Sequence, residues 1–213
     1  MPVGLGLVHR QGLDFMIKDL VVAVYQEEIT WLKKRKFANE RIFAYKKFER
    51  FDFDYVELLP NIGRESHTYI WHILKNYNAN FSDYTIFLQG DPFPHLLQKT
   101  DSVPHMIFEN SYDLSHLYYP MGELIVCDEI GKPLSKWHCP LYTVWDKLFE
   151  QDMPHKFIAN FGAQHAVHKS ILLSRSKKFW EKAQELHFEF DHTPWAYEIL
   201  WYYIFDPRFK SKF

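Results

Sequence analysis

Cysteine is nearly absent from this chain, with only Cys127 and Cys139 in 213 residues. Two thiols are too few for a disulfide framework. His138 stands beside Cys139, but without a CxxC pair the two do not make a structural zinc site. Both cysteines read as reduced thiols of a cytoplasmic protein. Glycine is scarce too, at 8 residues, and 47% of the chain is hydrophobic and 18% aromatic, which excludes a disordered composition. Neither charge sign dominates. The net charge is −2 and the basic residues are scattered, so a broad nucleic-acid-binding face is excluded while a local phosphate site is not. No apolar run reaches the ~20 residues that a membrane span needs. The opening MPVGLGLVHRQGLDF lacks the basic and long apolar regions of a signal peptide. There is no internal repeat and no Pro/Gly/Ser linker, so residues 1–213 are expected to form one domain.

What is present is an alternation of apolar runs and amphipathic stretches. Asp19 to Tyr25 is a continuous apolar run, the pattern of a strand covered on both faces. Ile29 to Lys36 is expected to be helical, with acids before it and bases at its end. Arg41–Tyr45 and Tyr55–Leu59 read as strands, the latter stopped by Pro60. A helix is expected from about Gly63 to Tyr77, because Ile70, Ile73, Leu74 and Tyr77 fall on one face. Thr85–Leu88 is the fourth strand. The order strand, helix, strand, strand, helix, strand implies an α/β fold, a mostly parallel sheet flanked by helices. In the second half, 123–126 and 156–159 are expected to be strands, and 177–188 and 195–205 helices.

In open parallel sheets, ligands bind outside the carboxyl ends of the strands. Three segments end strands here: Tyr25-Gln26-Glu27, Pro60 to Glu65, and Gln89-Gly90-Asp91. They are expected to converge on one edge of the sheet. A carboxylate there suits a hard divalent cation, which takes oxygen ligands and bridges to phosphates. Gly90 allows close approach of a ligand, and Pro92 stiffens the turn after Asp91.

These segments resemble the nucleotide-sugar half of GT-A-type glycosyltransferases. There an apolar strand ends in Tyr-Asn-Glu, an Asn-x-Gly segment with an Arg opens a helix, and a later strand ends in Asp-x-Asp. The counterparts are Val24-Tyr25-Gln26-Glu27, Asn61-Ile62-Gly63-Arg64 and Phe87-Leu88-Gln89-Gly90-Asp91. LPNIGRESHTY, FLQG, Gly162 to Val167 and Pro194 to Glu198 also resemble a largely uncharacterised family of glycosyltransferase-like proteins, over about Asp19 to Phe205. Three residues depart from these patterns. Gln89 replaces the first Asp, which weakens cation binding; Gln26 replaces Asn; and His165 replaces a Phe.

The resemblance implies a GT-A-like, Rossmann-like single domain, with residues 19–95 as the nucleotide-sugar half and 96–213 as the acceptor side. It implies transfer of a sugar from a nucleoside-diphosphate sugar to an acceptor, with Mn²⁺ or Mg²⁺ as cofactor. The donor is expected to touch Tyr25, Glu27, Asn61, Gly63, Arg64, Gln89, Gly90, Gln164 and Trp195. Asp91, His95 and His165 are the implied metal ligands. Glu198, or else Asp191, is the implied general base.

Each reading has a plainer competitor. Asp91 also suits a turn cap, and His95 a turn histidine. Asn61 also suits the cap of the helix that follows, with Glu65 supporting its first turn. His67 and His72 fit simple packing. Glu198, among Trp195, Tyr197, Trp201 and Tyr202, also suits an ion pair beneath a tryptophan-rich core. The literal Asp-x-Asp, Asp52-Phe53-Asp54, precedes a strand rather than ending one and reads as a solvated edge, with a metal site as its alternative. At the level of function, the competitors are an inactive nucleotide- or carbohydrate-binding module and a metal-dependent nucleotide-sugar hydrolase.

Overall fold

The computed structural model describes residues 16–35, 39–47, 56–77, 81–95, 107–108, 112, 114–127 and 139–213. Eight strands are found among them: β1 Lys18–Val24, β2 Glu40–Lys46, β3 Val56–Leu58, β4 Tyr84–Gln89, β5 Tyr118–Pro120, β6 Glu123–Cys127, β7 Phe157–Phe161 and β8 His165–His168. The helices are α1 Arg64–Asn76, α2 Leu141–Leu148, α3 Lys169–Leu173, α4 Lys177–Glu189 and α5 Thr193–Ile204. Asp52 and Asp54 lie outside the described residues.

Six strands form one sheet in the order β3-β2-β1-β4-β8-β5. The first four are parallel, and β8 runs antiparallel to both β4 and β5. The remaining pair, β6 and β7, makes a separate antiparallel ribbon, and β7 packs on α5. The expected α/β architecture with a mostly parallel sheet is therefore present. Among the described residues, no helix is long and apolar enough to cross a membrane.

The apolar run in β1 is buried on both sides. Val21 and Ala23 join one core cluster with Tyr45 and Phe87, while Leu20, Val22 and Val24 join another with Ala44, Ile86 and Leu88. Successive side chains point to opposite faces, so one strand feeds two cores. The first cluster also takes Trp145, Trp180 and Trp201, so both halves of the chain share it.

The segment expected to be a helix from Ile29 to Lys36 is instead a short 3-10 helix, Thr30–Lys34. Trp31 and Leu32 bury themselves there, and the Trp31 indole N–H donates to the carbonyl of Gly90 at 2.8 Å. Arg35 then pairs with Glu40 at 2.7 Å at the start of β2. These tertiary ties stop the helix early. Helix α1 follows its expectation: Ile70 and Ile73 are fully buried, and Leu74 and Tyr77 pack against the same core. The expected helices and strands of the second half also form, with ends shifted by a few residues. Strand β5 and helix α2 are not among the expected elements, although Leu141, Val144, Trp145 and Leu148 give α2 an apolar face at helical spacing.

Candidate functional site

The chain turns from β1 toward β2 and β3 on one side, then crosses through α1 to β4 on the other. The strand order therefore reverses between β1 and β4, and open sheets form crevices at such points. A cavity of about 530 Å³ opens there.

Its walls come from four segments. Ala23, Val24, Tyr25 and Glu27 end β1, and Lys47 follows β2. Asn61, Arg64, Glu65 and Thr68 belong to the β3–α1 junction and the first turns of α1. Gln89, Asp91 and Pro94 follow the course of β4 outward. Six of the residues singled out from the sequence thus line one space: Tyr25, Glu27, Asn61, Arg64, Gln89 and Asp91.

Gly63 and Gly90 shape the walls. Gly63 caps α1 in the left-handed region at φ 63°, where a side chain is disfavoured. A Cβ there would also lie 2.3 Å from Cδ2 of His187 and 2.6 Å from Cβ of His67. A Cβ on Gly90 would lie 2.7 Å from Oε2 of Glu27. That same oxygen accepts the backbone N–H of Tyr25 at 2.6 Å. The cap proposed for Asn61 does not form, since the N-cap is Gly63 without a side-chain bond. Asn61 is instead an exposed residue of the cavity wall. Arg64 is itself left-handed, at φ 48°, a conformation that costs a non-glycine residue of order 1 kcal/mol. Its guanidinium lies 5.5 Å from the centre of the Trp195 ring.

Other expected residues sit beside the cavity or away from it. Gln164 is fully buried, and its amide donates to the carbonyl of Pro92 at 2.9 Å, bracing the turn after Asp91. Glu198 lies one turn past Trp195 on α5, half-buried, and its Oε1 accepts the N–H of Gly162 at 3.0 Å. Asp191 is exposed in the turn between α4 and α5 and does not line the cavity. His95 ends the short 3-10 turn Phe93–His95, and its side chain lies outside the described part.

His165, expected to be a metal ligand, does not line the cavity. It opens β8 fully buried, with Nδ1 within hydrogen-bonding distance of the Tyr118 hydroxyl at 3.2 Å and of Asn160 at 3.0 Å. The rings of Trp201 and Phe205 pack beside it, and burial pushes its pKa down to about 3. The ring is enclosed in the aromatic core, and its Nε2 has no partner among the described residues. His67 and His72 are likewise buried neutral rings, pushed down to about 4 and about 3 by desolvation. His72 meets the Tyr45 hydroxyl at 2.9 Å.

Three cavity residues carry roles that the sequence reading did not assign to them: Lys47, Glu65 and Thr68. Lys47 is buried, and desolvation pushes its ammonium down to about 7, with Glu65 working against the shift. Glu65 is raised above the usual carboxylate range. Its burial is the main cause, the charge of Glu198 adds to the shift, and Arg64 opposes it. The strand-end rule reaches Lys47 directly, because it follows the second strand as Tyr25 follows the first.

Two buried polar atoms of the cavity wall have no hydrogen-bond partner among the described residues: Thr68 Oγ1 and Gln89 Oε1. Buried polar groups are normally satisfied, so orphans gathered near a cavity point to groups that a ligand completes. Among the described residues, no group of three or more His, Cys, Asp or Glu is arranged to hold a metal by itself.

The fold and site together define an α/β protein with a ligand-sized cavity at the switch point of a mostly parallel sheet. Comparison of the chain with family models, with curated proteins and with solved structures returned no match.

Proposed function

We propose that this cavity binds a nucleoside-diphosphate sugar and that the protein transfers the sugar to an acceptor hydroxyl, as a GT-A-like glycosyltransferase. One observation carries the reading. The three segments Tyr25–Glu27, Asn61–Arg64 and Gln89–Asp91, separate in sequence, line the same space at the strand ends.

The residues fit a divalent cation only in part. Asp91 offers an exposed carboxylate, and Gln89 an oxygen without a partner, both in the cavity wall. Mg²⁺ and Mn²⁺ commonly take one or two protein oxygens and complete their shell with phosphate oxygens and water. Asp91 and Gln89 would hold the ion, which supplies charge neutralisation for the leaving diphosphate. Arg64 and Asn61 position the nucleotide. In transfer, the bond from C1 of the sugar to the diphosphate oxygen breaks and a bond to the acceptor oxygen forms. In an inverting reaction the acceptor proton passes to a carboxylate, for which Glu198 is our choice. The second reading, a binding module without turnover, is favoured by the amide of Gln89 where an acid is usual. A hydrolase of the same donors differs only in giving free sugar, so product analysis separates it from a transferase.

Thermal-shift measurements with uridine and guanosine diphosphate sugars test the reading. A ligand at about 100 times its Kd stabilises the folded state by ~2.7 kcal/mol. For a chain of this size that raises Tm by roughly 5–10 °C, and more with Mn²⁺ or Mg²⁺ than without. Asp91→Asn is expected to remove the cation-dependent part and leave the Tm of the free protein unchanged. No shift with any of these donors, cation present, counts against the enzyme. If Asp52→Asn and Asp54→Asn remove the cation effect and Asp91→Asn does not, the site belongs to the other acidic pair.

A further inference from the structure

Lys47 is a buried cation in the cavity wall. It is 6% exposed, and its Nζ donates to the carbonyl oxygen of Ile62, between Asn61 and Gly63. It makes no ion pair with a described residue. Thr68, fully buried on the first turns of α1, lines the same cavity with an unpartnered hydroxyl. Arg64, one turn before Thr68, adds a guanidinium to this wall. Three residues with donor groups therefore line the space, two of them nine-tenths or more buried, and the third, Arg64, lies 3.5 Å from the Glu65 carboxylate and over the Trp195 ring.

We propose that Lys47, Arg64 and Thr68 form an anion subsite for a diphosphate group, and that Lys47 takes up a proton when the anion binds. This deepens the nucleotide-sugar reading of the cavity and rests on it. Lys47 follows β2 and Asp91 follows β4, with β1 between them in the sheet. At the usual strand spacing these ends are about 10 Å apart, a span that a diphosphate with its attached groups covers.

The charges around Lys47 explain the proton. Arg64 and Glu65 face the cavity from α1, Tyr25 and Glu27 from the end of β1, and Asp91 from beyond β4. His67 and His187 feel the lysine charge and are held neutral by burial. Glu65 is the acid that acts on Lys47, and its own burial, together with the charge of Glu198, favours its neutral form. Desolvation thus leaves Lys47 partly neutral near pH 7. An arriving anion favours the ammonium and raises its pKa in the complex. The resulting gain in affinity is fully present below the free pKa, about 7, and is lost as pH rises through the higher pKa of the complex.

Calorimetry at pH 8 tests this, titrating UDP and, separately, inorganic pyrophosphate into the full chain with Mg²⁺, in two buffers of different ionisation heat. Wild type is expected to take up about one proton more per bound ligand than Lys47→Met, which binds at least tenfold more weakly. Lys47→Arg is expected to bind nearly as well as wild type without the extra proton, because a guanidinium stays charged. That variant decides the matter if Lys47→Met fails to fold. Equal proton uptake in wild type and both variants, or undiminished affinity in a folded Lys47→Met, overturns the subsite. UDP binding more tightly than pyrophosphate assigns the anion to a nucleotide. Equal binding of the two with the same Lys47 dependence supports the subsite and overturns the nucleotide reading. Failure of wild type to bind either ligand overturns both.

Discussion

Glu198→Gln is expected to lower turnover by ~10²–10⁴-fold while leaving donor affinity nearly unchanged. A general base acts on the transition state, so its loss falls on kcat rather than on binding of the ground state. The geometry makes the test clean. Among the described residues Glu198 is tied down by one bond, Oε1 accepting the N–H of Gly162 at 3.0 Å, and a glutamine carbonyl oxygen still accepts that bond, though more weakly. The loop between β7 and β8 is therefore expected to keep its place, and Tm to move by less than about 1 kcal/mol in equivalent stability. The substitution also removes a negative charge that acts on Glu65, so the Glu65 carboxyl is expected to ionise more readily in the variant. Steady-state kinetics with the best donor from the thermal-shift screen, donor titration and melting on one preparation give all three readouts. Normal turnover removes Glu198 from the role and makes Glu65, which lines the cavity, the next carboxylate to test.

Arg175→Met is expected to cost about 3–5 kcal/mol of stability, because it leaves four carbonyls without their donor at ~1–3 kcal/mol for each that stays buried, and it is the largest loss we expect from a single side chain outside the site. Arg175 is 2% exposed. Its guanidinium donates to the carbonyls of Ile204 and Tyr203 at 2.9 Å, of Asp206 at 2.7 Å, and of Phe209. It also lies 5.2 Å from the Phe179 ring centre and 5.5 Å from that of Phe149. Burial pushes its pKa down to about 10, which still leaves it charged at neutral pH. One side chain thus satisfies the carbonyls at the end of α5 and in the segment that follows. Methionine fills part of the volume and satisfies none of them. A drop in Tm of roughly 10 °C follows for a chain of this length. Thermal melting checks it, and a change under about 1 kcal/mol sinks the account.

The sequence alone carried the parallel half of the sheet. Leu20 to Val24 is apolar at every step, on both parities, the pattern of a strand covered on both faces. The α1 face was equally plain, because a 3.6-residue period is a local property of the chain. The rule that strand ends meet at one edge then brought Tyr25, Glu27, Asn61, Arg64, Gln89 and Asp91 together.

What the tertiary structure decided depends on contacts between distant residues. The antiparallel insertion of β8 between β4 and β5 sets His165 opposite Phe87, and the rings of Trp201 and Phe205 bury it there. Gly63 is held to glycine by its left-handed φ and by His187, which α4 brings against it, while a side chain at Gly90 would push the Glu27 carboxylate aside. Lys47 becomes a buried lysine only where the β3–α1 loop closes over the end of β2, with Ile62 accepting its hydrogen bond. Periodicity records which face of an element is buried. It does not record which distant side chain covers that face, because that is set by how the elements pack, and burial by those neighbours is what gives Lys47, Glu65 and His165 their charge states.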